Sequence, residues 1–351
     1  MYYRSVRVAF LASSKKTKGY QKDPAFIYRC ENLGHALRAR SIEVELGHSR
    51  SWRAPHKIDC AVVHRPRVSF AVWRLVRRLR NLGAKLVADV DDLVFDEAFA
   101  SYNPMVRNGR RSLEQQQRLC REHRGAIKWF DHITVSTEAL RDHAHRCFPG
   151  KPVTVLHNAV PWHWQRAPHP QPVQKKQRKT IVYLPGTPSH DRDFALLAGP
   201  LTRFLRAHPE VRLRVTGPLN FQLDVPAGQL EHCAKVPFAS YVRQFEDAWV
   251  SLAPLEDTPF NACKSGLKAL ESGYWGVPAI CSPNPDYARF ERAGALMATA
   301  GDDWVRWLEL LLADDEYRRI TDNLRMRTLS LGDVDMRANE FLDDVAARAV
   351  S

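Results

Sequence analysis

The sequence predicts an α/β protein with two doubly wound domains, each built on a mainly parallel sheet. With 351 residues the chain exceeds what one ordinary hydrophobic core holds, and its length suits two domains of similar size. Short β-branched runs alternate with longer amphipathic runs, which is typical of strands joined by crossover helices. The alternation stops between Pro161 and Lys179, a stretch rich in proline, glutamine and basic residues, and then resumes.

The first domain is expected over residues 1–165. Its β-branched runs predict strands at Val6–Ala12, Ile42–Leu46, Cys60–His64, Lys85–Val90, His132–Val135 and Val153–Leu156. Amphipathic runs predict helices over Pro24–Ala39 and Val72–Leu82. A third helix is predicted to begin at Ser112, which forms a capping box with Gln115.

Residues 166–179 are predicted to link the domains. The second domain is then expected over residues 180–351, with its last helix packing back on the first domain. Its strands are predicted at Thr180–Leu184, Val211–Thr216, Trp249–Ala253 and Ala279–Cys281. Between the first two of these strands, a helix places Leu197, Leu201 and Phe204 on one face. From Asp302 onward the chain is predicted to be helical almost to its end.

The composition indicates a globular protein with an anionic partner. The net charge is +13 and the sequence pI about 9.6, which suits phosphorylated small molecules, nucleic acid or an acidic membrane surface. The seven cysteines are scattered without a CxxC or Cys/His cluster, so we expect neither disulfides nor a zinc site. No signal peptide and no apolar run of the roughly 20 residues that cross a bilayer is recognisable. We therefore expect a cytoplasmic protein.

A polar loop after the strand Trp249–Ala253 is predicted to lead into a helix that begins near Cys263. On that helix Lys264, Lys268 and Glu271 are spaced by four and three residues and share a face. A helix N-terminus carries unpaired N–H groups and partial positive charge, so it suits a diphosphate, and a carboxylate two turns further suits ribose hydroxyls. The alternative is a solvated helix with an incidental lysine–glutamate pair.

A second loop is expected at the same edge, because ligands of such folds bind beyond the carboxyl ends of the strands. It follows the first strand of the second domain and runs from Gly186 to Asp193 with the sequence Gly-Thr-Pro-Ser-His-Asp-Arg-Asp. Gly186 lets backbone approach a ligand closely, and Arg192 suits phosphate oxygens.

These segments resemble the GT-B glycosyltransferases of the retaining group one (family four) type, especially the bacterial branch that assembles lipopolysaccharide, capsule and exopolysaccharide. The resemblance covers most of the chain and is strongest in residues 186–193, 254–261 and 264–271. It implies two Rossmann-like domains facing each other across a cleft. A nucleotide-sugar donor is held mainly by the second domain, and a glycan or lipid-linked acceptor by the first. The donor-binding residues are then Gly186, Thr187, His190, Arg192, Lys264, Ser265, Lys268 and Glu271.

The family marks its donor helix with two glutamates separated by seven residues. The second matches Glu271, the implied partner of the nucleotide ribose. The first falls at Cys263, so the sequence departs from the pattern at the residue that usually contacts the donor sugar. Glu256 and Asp257, just upstream, are candidate substitutes.

In the resemblance, the loop after the fourth strand of the first domain faces the reacting centre, and here it holds Asp91 and Asp92. A carboxylate there stabilises positive charge on the sugar or orients the acceptor hydroxyl, so both are candidate catalytic residues. Two alternatives stay open. The aspartates cap the turn, or Asp89 and Asp91 hold a divalent ion, like the DxD motif of the other large glycosyltransferase fold. Because cationic side chains replace the metal in GT-B enzymes, we expect no metal and no cofactor.

Arg29, His64 and Asn158 are candidates for acceptor or cleft contacts. Arg29 equally suits a surface salt bridge, His64 a packed strand end, and Asn158 a turn. The helix Val72–Leu82 has an apolar face and an arginine face, so it either covers its own sheet or lies on an anionic membrane surface at the inner face of the membrane.

The function that the resemblance implies is a metal-independent glycosyl transfer with retention of configuration. Two alternatives remain: another GT-B enzyme such as a sugar-nucleotide epimerase, or a non-catalytic partner or ligand-binding protein. Nucleic acid is not expected as a partner, because the sequence has no recognisable nucleic-acid motif and no interleaving of aromatic and basic residues.

Overall fold

The computed structural model describes residues 6–14, 17–53, 57–166, 179–292 and 294–346, and in them the chain forms two six-stranded sheets. The predicted linker lies outside the described residues except for Arg166 and Lys179. The strands are β1 Arg7–Ala12, β2 Glu43–His48, β3 Cys60–His64, β4 Lys85–Val90, β5 His132–Val135, β6 Val153–Val155, β7 Lys179–Tyr183, β8 Val211–Thr216, β9 Leu230–Cys233, β10 Ala248–Ala253, β11 Ala279–Cys281 and β12 Leu296–Met297.

Both sheets are parallel and doubly wound, as predicted. The first has the order β2-β1-β3-β4-β5-β6 and the second β12-β11-β10-β7-β8-β9. The strand order reverses between β1 and β3 in the first sheet and between β7 and β10 in the second, and ligands of such folds bind at these switch points. The predicted strands are confirmed, with ends that match or shift by at most two residues. The edge strands β9 and β12 were not predicted, because one has a mixed polar sequence and the other is only two residues long.

Helices connect the strands on both sides of each sheet. The first helix, α1, consists of Pro24–Phe26, a π-helical turn at Ile27–Glu31, and Asn32–Arg38. The capping box of Ser112 and Gln115 is confirmed at the start of the helix Leu113–Ile127. The other α-helices are α2 Phe70–Asn81, α3 Pro104–Arg107, α4 Leu113–Ile127, α5 Glu138–Cys147, α6 Trp162–Gln165, α7 Asp191–Ala195, α8 Ala198–Ala207, α9 Phe238–Tyr241, α10 Pro259–Ala262, α11 Leu267–Tyr274, α12 Ala288–Glu291, α13 Gly301–Leu310, α14 Asp314–Leu331 and α15 Val334–Glu340.

The predicted start of the donor helix near Cys263 is wrong. Cys263 ends the short helix α10, and α11 begins at Leu267. The break is set by contacts with residues further along the chain: the Gly266 N–H donates to Asp286 Oδ2 at 2.6 Å, and a Cβ on Gly266 would lie 2.8 Å from the Phe290 ring. Lys264 therefore lies in the turn before α11 and not on the helix.

Buried apolar clusters of the described residues extend from one domain into the other. Phe260 and Cys263 of the second domain belong to the same buried apolar cluster as strands β3, β4 and β5 of the first. At the C-terminus, Phe341 packs against Phe10 of β1 at a ring-centroid distance of 5.7 Å. Among the described residues, the structure contains no helix that is both long and apolar enough to cross a membrane.

Candidate active site

The candidate site lies where the carboxyl ends of the two sheets face each other. On the second sheet, the loops after β7 and β10 meet at the switch point between these neighbouring strands. Loops of the first domain contact them: the Asn158 amide donates to Ser265 Oγ at 3.0 Å, and the Thr137 hydroxyl donates to the Cys263 carbonyl at 3.0 Å. The structure therefore brings Asn158 and Ser265, two of the predicted site residues, together across the cleft.

Glu271 is buried between two tyrosines. It lies on α11, is 5% exposed, and accepts hydrogen bonds from Tyr28 Oη at 2.5 Å and from Tyr241 Oη at 2.9 Å. Tyr28 comes from the π-helical turn of α1 in the first domain, and Tyr241 from the second domain. Burial raises the pKa of Glu271, and the charge of Lys268 and the tyrosine hydrogen bonds offset only part of that shift.

Lys264 and Lys268 lie beside the loop that follows β7. Lys268 Nζ donates to the Leu184 carbonyl at 2.5 Å. Burial lowers the pKa of Lys268, although the nearby Glu271 carboxylate opposes that shift. Lys264 Nζ lies 5.4 Å from the centre of the Phe260 ring. The site therefore holds two partly buried cations next to a buried carboxylate.

His190 lies near both lysines and is held by Asp193. Its Nδ1 is 2.8 Å from Asp193 Oδ2. Burial lowers the pKa of His190; the Asp193 hydrogen bond opposes that shift, and the charges of Lys264 and Lys268 add to it. The buried Asp193 also accepts from Asn261 Nδ2 at 3.1 Å. One carboxylate thus joins the loop after β7 to the loop after β10.

Gly186, Thr187 and Arg192 are exposed at the rim of the site. Lys235 Nζ donates to the Gly186 carbonyl at 2.7 Å. Arg192 Nε donates to Glu256 Oε1 at 2.9 Å, so the guanidinium that we assigned to phosphate already has a carboxylate partner.

Glu256 is a fixed negative charge between the domains. It accepts from Arg192 and from Arg107 of the first domain, whose NH2 lies 2.9 Å from Glu256 Oε1. Burial alone would raise the pKa of Glu256, but the two arginines outweigh it and hold the pKa below its usual value. Asp257, the other candidate substitute for the missing glutamate, is exposed.

Cys263 points away from solvent, into the core of the first domain. It is 1% exposed, and burial, followed by the negative charge of Asp92, raises the pKa of its thiol to about 12. An apolar, protonated side chain fits this position because a buried glutamate beside Asp92 would place two like charges in a dry environment.

Arg29 and His64 bind the same buried carboxylate. Arg29 NH2 lies 2.6 Å from Asp89 Oδ1, His64 Nδ1 lies 2.8 Å from Asp89 Oδ2, and Thr134 Oγ1 donates to Asp89 at 2.8 Å. Burial alone would raise the pKa of Asp89, but Arg29 and His64 hold it far below its usual value. The structure therefore places Arg29 and His64 in a buried network under the site. The Asn158 side chain links that network to the cleft, and His64 Nε2 lies 3.8 Å from Asp91.

Asp91 and Asp92 share one arginine. Arg65 Nε donates to Asp91 at 2.5 Å, and Arg65 NH2 donates to Asp92 at 3.2 Å. Arg65 adopts the left-handed conformation, with φ of 47°, which folds its side chain back over the loop after β4. Asp92 is the more exposed of the two carboxylates and faces the turn at Cys263.

A metal-binding interpretation finds little support in these contacts. Among the described residues, Cys30, His64 and Asp89 offer ligand atoms within 4.8 Å of one another. Arg29 already neutralises Asp89, however, and burial holds the pKa of the Cys30 thiol well above its usual value. Asp89 and Asp91 are each paired with an arginine, so they do not form the free carboxylate pair that a DxD ion needs.

Comparison with known proteins identifies the fold. No protein-family model and no curated protein sequence matches the chain. Solved structures do: sucrose-phosphate synthase from Thermosynechococcus elongatus superposes with a TM-score of 0.64 at 13% identity, over 96% of this chain and 98% of the other. HepE from Anabaena, solved in complex with UDP and glucose, gives 0.63 at 11% identity, over 97% and 100%.

A putative UDP-N-acetylglucosamine 2-epimerase from Listeria monocytogenes also superposes, with a TM-score of 0.56 at 9% identity, over 98% of this chain and 96% of the other. The chain therefore has the GT-B fold, with two Rossmann-like domains, as the resemblance implied. Glycosyltransferases and an epimerase-like protein are both among its structural neighbours.

Proposed function

We propose that this protein is a glycosyltransferase that moves a sugar from a nucleotide diphosphate sugar to a glycan or lipid-linked acceptor, with retention of configuration and without a metal ion. One observation supports this more than any other. Lys264, Lys268 and His190 cluster beside Glu271 at the switch point of the second sheet, where a GT-B enzyme holds its nucleotide.

In this proposal the second domain binds the diphosphate. The ammonium groups of Lys264 and Lys268 and the N-terminal N–H groups of α11 stabilise the negative charge that develops on the leaving phosphate. Gly186, Thr187 and Ser265 supply the backbone and hydroxyl contacts around it. Glu271 accepts the ribose hydroxyls.

The first domain contributes the carboxylates that face the sugar. We assign Asp92 to stabilising positive charge on the sugar ring or orienting the acceptor hydroxyl, because it is the more exposed carboxylate and faces the second domain. Asp91, Arg65 and the network under them hold that loop in position. Exclusion of water between the domains favours transfer over hydrolysis.

The donor proposal is tested by thermal shift with UDP-, GDP-, ADP-, CMP- and dTDP-sugars, comparing the wild type with Lys264→Ala. We expect one nucleotide class to stabilise the wild type, and Lys264→Ala to weaken its binding about 10- to 100-fold, the effect of losing one charged hydrogen bond. Lys128→Ala removes an exposed lysine of the first domain and serves as the control. Equal binding by both variants, or none by the wild type, contradicts the proposal.

We also propose that the protein binds an anionic membrane surface through α2 and meets its acceptor there. This helix begins at the carboxyl edge of the first sheet and buries Val72 and Val76 against it. Phe70 is nevertheless 74% exposed and stacks on Trp73 at 5.7 Å, with the Arg77 guanidinium 4.9 Å from the Trp73 ring. Exposed aromatic rings beside arginines suit the headgroup region of anionic lipid.

Vesicle flotation tests the membrane proposal. We expect the wild type to float with vesicles that contain anionic lipid and not with neutral vesicles, and Phe70→Ser/Trp73→Ser to reduce flotation at least severalfold. Met326→Ser/Leu329→Ser removes exposed apolar side chains of α14 and is the matched control. A wild type that stays in solution at low salt rules out this surface.

The Listeria neighbour favours one second candidate, a sugar-nucleotide epimerase. An epimerase shares the donor site but needs no acceptor. Conversion of a UDP-sugar to its epimer without acceptor, detected by NMR, would favour that activity. Donor binding without any turnover would favour a non-catalytic protein, consistent with the cysteine at position 263.

A further inference from the structure

The contact between Tyr28 and Glu271 crosses the cleft at the carboxylate that the proposed function assigns to the donor ribose. The two residues are 243 positions apart in the chain, and their hydrogen bond of 2.5 Å joins the two domains. Both side chains are almost completely buried. A residue of the acceptor domain thus covers a group of the donor domain.

Aromatic rings complete the cover over Glu271. The Tyr28 ring meets Phe238 edge to face at 5.4 Å, and Phe238 stacks on Tyr241 at 6.2 Å. Tyr28 and Tyr241 each bond one carboxylate oxygen, and Glu271 is only 5% exposed among the described residues, too little for a diol to reach both oxygens. A ribose must therefore displace one of the two tyrosines to bind there.

Of the two tyrosines, Tyr28 can leave Glu271 without any change in the conformation of the donor domain. Tyr241 belongs to the same domain as Glu271, and its ring packs against Phe245 of that domain. Tyr28 belongs to the other domain, and its place in the π-helical turn of α1 aims it across the cleft. Separating the domains removes Tyr28 from Glu271 and leaves Tyr241 in place.

We infer that Tyr28 competes with the ribose hydroxyls of the donor for Glu271, so that a first-domain residue sets the affinity of the donor site. The inference rests on the proposed function. In part of the protein population Tyr28 covers Glu271, and only the remaining, open fraction can bind the donor. The apparent dissociation constant of the donor is therefore the intrinsic constant divided by that open fraction. A hydrogen bond to a carboxylate is strong enough to change that fraction about tenfold or more.

The test is a matched pair of conservative variants, Tyr28→Phe and Tyr241→Phe, titrated with UDP, GDP, ADP, CMP and dTDP by calorimetry on the full chain. Each variant removes one hydroxyl from one oxygen of the same carboxylate. We expect Tyr28→Phe to bind its preferred nucleotide about tenfold more tightly than the wild type. We expect Tyr241→Phe to bind no more tightly than the wild type, because the interdomain contact persists.

The outcomes separate the inference from the proposed function. Equal or weaker binding by Tyr28→Phe, or equal tightening by both variants, overturns the competition and leaves the glycosyltransferase proposal standing. If none of the five nucleotides binds the wild type or either variant, both fail. Small-angle scattering without nucleotide adds an independent readout: Tyr28→Phe should increase the radius of gyration, and Tyr241→Phe should not.

Discussion

Asp89 holds the first-domain half of the site together, because three side chains from different elements converge on it. Arg29, His64 and Thr134 all bind its carboxylate. Arg29 and Asp89, which form an ion pair, are both buried. Breaking a buried ion pair by removing one partner typically costs about 3–5 kcal/mol, since the other charge is left without compensation. We expect Asp89→Asn to lower the free energy of unfolding by about that amount, measured by urea denaturation.

Measuring the free energy of unfolding of the wild type and Asp89→Asn at several pH values tests whether their difference is electrostatic. The pKa of Asp89 is lower in the folded protein than in the unfolded chain, so its contribution is fully present above about pH 4 and is lost as the pH falls toward the folded value. The difference in the free energy of unfolding between the wild type and Asp89→Asn should therefore become smaller below about pH 4. A gap that is the same at pH 3 and pH 7 would show that packing, not charge, accounts for it.

The sequence located the polar residues of the site at strand ends but could not assign their partners. Arg29 and His64 were candidates for cleft contacts, with a salt bridge and a packed strand end as the alternatives. Both bind Asp89, which is 60 and 25 residues away in the chain. A signal for Asp89 did exist, since it is a carboxylate within an otherwise apolar run of the strand Lys85–Val90. No spacing rule connects Tyr28 to Glu271, so that contact could be found only in the structure.

At the scale of elements, the loop after β7 depends on a close backbone contact with the loop after β8. Gly217 has a φ of 140°, and a Cβ on it would lie 2.1 Å from the Pro185 carbonyl oxygen. We expect Gly217→Ala to lower the free energy of unfolding by about 2–4 kcal/mol, because both the backbone conformation and the overlap are unfavourable. It should also weaken nucleotide binding, because Pro185 leads into the loop that we propose binds the donor.

Gly199→Ala is the matched control for this prediction. Gly199 lies in α8, and a Cβ there would have only the end of the Arg203 side chain nearby, at 3.9 Å. Alanine favours a helix by about 0.5–1 kcal/mol over glycine, so stability should stay equal or rise slightly. If Gly217→Ala unfolds at the same denaturant concentration as Gly199→Ala, the contact with Pro185 does not constrain the loop.

Elements with strong local signals were predicted well, and those fixed by distant contacts were not. The buried strands and the capping box at Ser112 follow from local sequence. The edge strands β9 and β12 owe their conformation to pairing with β8 and β11. The start of α11 is set by Asp286, a residue 20 positions downstream that binds the Gly266 N–H.

At the scale of the whole molecule, two arginines at the end of α3 and just after it bind the second domain. Arg107 pairs with Glu256 and Arg110 with Asp191, each at 2.9 Å, and Asn108 donates to the Ser189 carbonyl at 2.8 Å. We call residues 104–111 the interdomain strap. The sequence indicated only that this region is basic; the structure shows that part of this charge faces carboxylates of the other domain.

The strap should hold the domains weakly and in a salt-dependent way. Partly exposed ion pairs contribute about 0.2–1 kcal/mol each and are screened at high ionic strength. We expect amide hydrogen exchange of residues 186–192 to accelerate as NaCl rises from about 0.05 M to about 0.5 M. The double variant Arg107→Ala/Arg110→Ala should exchange fast already at low salt and respond little to added NaCl.

An exposed ion pair within one domain provides the comparison that makes this prediction specific. Arg206 pairs with Asp224 inside the second domain, away from the cleft, so Arg206→Ala removes a surface charge without touching the strap. Its exchange at residues 186–192 should match the wild type at every salt concentration. If Arg206→Ala accelerates exchange as much as the strap variant does, net charge controls the loop and the interdomain pairs do not. Acceleration confined to the strap variant would instead mean that these pairs control access to the donor loop, because residues 186–192 carry the groups proposed to meet the diphosphate.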